Sequence, residues 1–275
     1  MSRSSRPRFP FVLLRFWFAR VFPAWLGIGL LIFLMQIGVA AIVHDNLNVR
    51  TFLAFINMLP SIVKTALGGD MLDSGSMTAL LTVGYQHPFV MFLQMVFVVG
   101  VPAGLLTAEV QKGSMELILS RAVAKTHVYV CAAIVAVVGT FGLVLVMFAG
   151  TAAAVNLYTF TEPIDLHLFF RIAMTSGLLA STFGAFALLI AVTFRRFYAA
   201  VGVAVAFLTL NYFVAIVAQW WPDLKFLRKA TLFYLIYYSD LWQGWPVRNM
   251  AILAAIALAA AALGALVWRR RDLFV

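Results

Sequence analysis

Six stretches of the chain run for 19 residues or more without an Asp, Glu, Lys, Arg or His: 25–43, 89–108, 128–155, 172–194, 197–221 and 250–268. At about 1.5 Å per residue in a helix, the shortest reaches roughly 29 Å, close to the hydrocarbon thickness of a bilayer. Transmembrane strands would be about 10 residues long and would alternate in polarity. These runs are twice that length and do not alternate. A helix also satisfies its own backbone groups where no water is present. The pattern predicts an all-α integral membrane protein, with six transmembrane helices forming a single transmembrane domain over 1–275.

Three further apolar segments are broken or short. Residues 51–67 contain Pro60 and Lys64, and 232–238 are too few to cross. Both read as helices at or dipping into the membrane surface. Residues 8–20 combine five Phe and Trp residues with Arg8, Arg15 and Arg20, which suggests an interfacial helix ahead of the first span. Arg15 interrupts that region too soon for a signal peptide, and the first span is long enough to remain as an anchor.

Composition supports the membrane reading. Hydrophobic residues make up 64% and charged residues 11%, against about 25% charged in an ordinary soluble domain. The single cysteine, Cys131, has no partner within the chain and reads as a structural thiol.

The charges then set an orientation. With both termini inside, thirteen basic residues and three acids lie on the inner side, and seven basic residues and seven acids on the outer. Basic residues favour the cytoplasmic side, so both termini are expected in the cytoplasm. The net charge of +10 then sits where anionic lipid headgroups are, and no nucleic acid partner is needed to explain it. A seventh span at 51–67 would turn Lys112, Arg121, Lys125 and Arg269–Arg271 outward, against the same bias.

The loop between the second and third spans carries the strongest local signal. Gly113 suits the end of the incoming helix, Ser114 suits an N-cap, and Glu116 falls in the first turn of a new helix. Met115, Ile118, Leu119 and Ala122 follow at i, i+3, i+4 and i+7, one apolar stripe. Arg121 and Lys125 lie on another face. Such a helix either anchors a connector in the lipid surface or docks a partner.

This loop resembles the signature of bacterial type-2 ABC exporter permeases. Glu109, Gly113, Glu116, Leu117, Leu119 and Ser120 match it as they stand. Ser114 replaces the usual Thr, Lys125 the usual Arg, and Ala122 stands where many members have Pro. Gly84-Tyr-Gln-His-Pro88, Leu59-Pro60 with Leu67-Gly68, and Arg270-Arg271-Asp272-Leu273 resemble segments of one branch. The resemblance implies the permease half of an ATP-driven transporter, in a bacterial inner membrane. It further implies a second permease copy and two copies of a separate ATP-binding subunit, which would hold ATP and Mg. The helix at 114–124 would be the coupling helix, with Glu109, Gly113, Ser114, Glu116, Leu119, Arg121 and Lys125 at the ATPase contact. Residues 8–20 would be the family's elbow helix. The chain contains no Gly-Lys pair and hence no phosphate-cradling loop of its own.

Other candidates are fewer. Gln36, Gln94 and Asn211 are polar within spans and either line a pathway or join helices by hydrogen bonds. Thr175, Ser176, Ser181 and Thr182 are open to the same two readings. His44, His87 and His167 come from three segments without ligand spacing, so no metal is expected; His87-Pro88 reads as a helix start. Pro102 should kink the second span. The outer segments 45–84 and 221–249 are long enough to contact a periplasmic or extracellular partner. An ion-coupled carrier would place an ionisable group inside a span, and none of the six runs holds one. A membrane scaffold is the other alternative.

Overall fold

A computed structural model describes residues 9–44, 54, 58, 76–121, 123–236 and 238–272. The chain is an all-α membrane protein with six helices long and apolar enough to cross a bilayer. Among the described residues there is no strand.

The first spanning helix, α1, is Phe11–Val43. A short buried helix, α2, Met77–Gln86, leads into α3, which covers 88–111. A surface helix, α4, is Ser114–Leu119. The remaining spans are α5, Lys125–Leu157, α6, Leu166–Thr193, α7, Phe197–Trp220, and α8, Val247–Arg270. Each uncharged run of the sequence falls inside one of these six helices to within a residue. Antiparallel succession places Arg20, the α3–α5 connection, the α6–α7 turn and Arg269–Arg271 at one end of the bundle, called here the basic end.

Two expectations change in detail. Residues 11–20 are helical, but they form the first turns of α1 and not a separate elbow. Pro23 lies inside α1 and the helix continues through it; no glycine or polar turn residue accompanies it to end the helix. At 33 residues α1 is about 50 Å long, so its basic start extends beyond the hydrocarbon. The sequence places 45–84 as an outer connecting segment, yet Met77–Tyr85 are buried against the bundle. Their short length and the Thr and Gly among them hid this from a search for long apolar runs. The proposed surface helix at 51–67 lies outside the described residues, apart from Ala54 and Met58.

His87 breaks α2 from α3: its backbone leaves the helical region, its ring accepts from Phe89 N–H at 3.2 Å, and Pro88 opens the new helix. This matches the helix start expected there. Pro102 ends the regular ladder of α3, and Ala103–Thr107 continue as a π-helix before Ala108–Gln111 return to α. The proline thus marks a widened turn. In 232–238 a 3₁₀ turn forms at Leu232–Leu235, and a short helix follows at Tyr238–Gln243.

The core forms where α1 crosses α5 and where α6 lies among α3, α5, α7 and α8. Close approach depends on small residues. A Cβ on Gly150 would stand 2.9 Å from the Phe33 carbonyl oxygen of α1, while one on Gly38 would meet nothing within 4 Å. Trp25 Nε1 donates to the Gly139 carbonyl at 2.9 Å, and Tyr129 donates to the Ala261 carbonyl at 2.8 Å. Both bonds use a bulky side chain to tie neighbouring spans.

This packing makes a test. Gly150→Ala should destabilise the protein by about 1–3 kcal/mol, because backbone must shift, whereas Gly38→Ala should be neutral or slightly stabilising. Unfolding of the purified chain in detergent by increasing SDS measures both. Equal effects would contradict the α1–α5 contact.

Candidate functional site

Glu109 is 6% exposed and sits one residue beyond the uncharged part of α3. A carboxylate in that position requires partners. It has two. Arg20 of α1 donates through Nη1 to Oε1 at 2.6 Å, and Ser114 Oγ donates to Oε2 at 2.6 Å. Ser114 also lies 3.2 Å from the Glu109 carbonyl. One acid therefore joins the starts of α1 and α4 to the end of α3.

Gly113 makes the turn possible. Its φ of +75° is in the left-handed region, where a side chain would be strained. It ends α3 as expected. Ser114, expected as an N-cap, is instead the first residue of α4 and makes no capping bond. Its hydroxyl is engaged by Glu109, a charged acceptor and the stronger competitor.

α4 is shorter than expected. Ser120 closes it, and Val123 and Ala124 are not helical. Met115 is fully buried, and Ile118 and Leu119 pack partly against the core. That confirms the stripe as far as it is described; Ala122 lies outside the described residues. The opposite face presents Glu116, Leu117, Ser120 and Arg121 to solvent. Leu117 is 72% exposed between charged neighbours.

Other bonds hold the basic end together. Thr107 Oγ1 donates to the Ala191 carbonyl at 2.7 Å, and Gln111 Oε1 accepts from Phe197 N–H at 2.6 Å. Arg271 donates to the carbonyls of Val192 and Phe194, at 2.6 and 3.0 Å, where α6 ends. Burial, and the nearby Arg195, lower Arg271 from the usual arginine range. Lys125 starts α5 and donates to the Arg271 carbonyl at 3.1 Å, while Trp268 Nε1 donates to the Lys125 carbonyl at 2.8 Å. Lys125 thus reaches the C-terminal segment.

The polar residues of the spans join segments. Gln36 donates to the Gly84 carbonyl at 2.9 Å, and Asn211 Oδ1 accepts from Leu232 N–H at 2.9 Å. Gln94 lies 3.7 Å from the Met147 sulfur. A groove of about 420 Å³ runs between α3 and α7, and none of these three lines it. Thr175 and Thr182 bond back to carbonyls of their own helix, and Ser176 and Ser181 are buried without a protein partner. His44 stacks on Tyr158 with centroids 4.6 Å apart.

Arg20, Gln111, Thr107, Arg271 and the exposure of Leu117 were not legible as site features. One signal did exist for Arg20. It is the last charged residue before the first uncharged run, as Glu109 is the first after the second, which puts opposite charges near one end of neighbouring spans.

No protein-family model matches this sequence, and no curated protein matches it.

The clasp predicts an asymmetry. Arg20→Gln leaves a buried carboxylate with Ser114 alone and should cost about 1–3 kcal/mol. Glu109→Gln keeps one acceptor oxygen for Arg20 and turns an NH2 donor toward the Ser114 hydroxyl, which can accept, so it should cost less than a buried carboxylate without its cation. Removing both should cost less than the sum of the two. SDS unfolding of the four proteins measures this cycle; full additivity would show that the pair is not coupled.

Proposed function

We propose that this chain is the membrane-spanning permease subunit of an ATP-driven ABC transporter of the type-2 exporter class. The basic end faces the cytoplasm of a bacterial cell, and two copies of a separate ATPase subunit dock there. A second permease copy completes the pathway. ATP and Mg belong to the ATPase subunits.

One observation carries this reading. A surface helix between the second and third spans is tied through Ser114 to Glu109, which Arg20 of α1 pairs, yet it turns Glu116, Leu117, Ser120 and Arg121 outward. An apolar knob ringed by charges suits a protein groove better than lipid, where Glu116 and Arg121 would need to leave the surface. Its anchor, Glu109, lies on the same α3 that enters the core, so displacement of α4 is transmitted to a spanning helix. Transport coupling requires such a link, because a partner changes the membrane subunit only through contacts that differ between two states. An ion-coupled carrier is less well supported: among the described residues Glu109 is the single buried acid, and it is already paired at a helix end.

Co-expression with an ATPase subunit of this transporter class tests the proposal. Glu116→Ala with Arg121→Ala, or Leu117→Asp alone, should weaken ATPase co-purification and substrate-stimulated hydrolysis while the six spans stay folded. Loss of a charge buried at that contact should cost about 2–5 kcal/mol, and much less at its rim. A double variant that binds and stimulates the ATPase like the parent would remove α4 from this role.

A further inference from the structure

The groove of about 420 Å³ between α3 and α7 is lined by Met95, Val99 and Gly100 on one wall and Val201, Val205 and Leu208 on the other. Thr209 and Tyr212 supply the only side-chain hydroxyls among its lining residues. Its walls include outer surface of the chain, where Phe92, Val96 and Val205 are exposed. Water would find too few polar partners there to stay. An empty groove would forfeit the dispersion contacts of every wall atom. Hydrocarbon is therefore its natural filling.

The two ends differ. At the far end Pro88 and Phe233 line the groove, and the Phe233 ring packs on Tyr212 with centroids 5.6 Å apart. At the basic end the lining reaches Phe197, whose N–H is held by Gln111. Arg195 and Arg196 immediately precede it, both exposed and without an acidic partner among the described residues. From Phe197 to Tyr212 the groove extends about 22 Å along α7, more than half the hydrocarbon thickness. That is the reach of one lipid chain entering from the leaflet at the basic end.

We infer that this groove is a binding site for one acyl chain of an anionic phospholipid, whose headgroup phosphate is held by Arg195 and Arg196. Volume, apolar lining and the two exposed arginines that precede Phe197 together select a single-chain, negatively headed occupant. The site does not depend on ATPase coupling and stands or falls separately from it.

Native mass spectrometry of the purified full chain tests this, with phosphatidylglycerol and phosphatidylcholine of identical chains as probes. The parent should retain phosphatidylglycerol in preference. Arg195→Gln with Arg196→Gln should lower that preference, by about fivefold per arginine, with a smaller change for phosphatidylcholine, whose choline offsets the phosphate charge. Gly100→Leu should reduce retention of both lipids, because a Cβ there meets nothing within 4 Å and the added side chain fills the groove without displacing protein. Val205→Phe, from the opposite wall, should do the same, and helix content by circular dichroism verifies folding of each variant. Equal retention of the two lipids by the parent would overturn the headgroup assignment. Unchanged retention in both filled variants would overturn the site, and if their oligomeric state changed instead, the groove would belong to a second copy of the chain.

Discussion

A carboxylate at the margin of a bilayer cannot be left without partners, and the arrangement of the basic end follows from how Glu109 meets that requirement. Arg20 approaches from α1 and Ser114 from α4, each at 2.6 Å. To bring both within reach, α1 must extend beyond the hydrocarbon and α3 must turn sharply at Gly113. The left-handed glycine and the continuous, basic start of α1 are consequences of that geometry. The spanning helices themselves are held by packing and by side-chain bonds such as Trp25 to Gly139. Arg20 fixes Glu109 between α1 and α3, and the Ser114–Glu109 bond ties the surface helix to that pair.

The basic end is further held by bonds from side chains that close helix termini. Arg271 satisfies the terminal carbonyls of α6, and Gln111 satisfies an N–H at the start of α7. Positive charge near a helix C-terminus is favourable, so Arg271 contributes both a bond and a field. Immediately above Glu109, the π-helical turn after Pro102 widens α3, and Thr107 ties that turn to α6. The surface helix, the widened turn and the most enclosed span are thereby in contiguous contact. That continuity joins α4 to the interior of the bundle.

The six spans were legible because a bilayer imposes a simple rule, long runs without charge, that needs no knowledge of tertiary structure. Gly113 was legible for a similar reason, since few residues accept its backbone conformation. The short helix α2 was not, because its burial depends on the neighbouring helices and not on its own length. Ser114 shows the limit of local rules: its pattern predicts a cap, and a charged acceptor five residues earlier takes its hydroxyl instead. Gln36, Gln94 and Asn211 stood out as polar residues within spans, but only their partners separate joining helices from lining a path. The outward face of α4 is a matter of exposure, which composition alone does not determine.

The central claim is that the Arg20–Glu109–Ser114 clasp holds α4 in one position on the bundle. A pulsed electron paramagnetic resonance measurement tests it directly. Spin labels at Leu117→Cys and Thr193→Cys, both exposed positions, would be placed in a Cys131→Ser background in nanodiscs. With the clasp intact the account predicts a single narrow distance distribution. With Arg20→Gln and Ser114→Ala added, the distribution should broaden or shift while the helix content stays the same. An equally narrow, unmoved distribution would show that α4 is held without the clasp and would contradict the account.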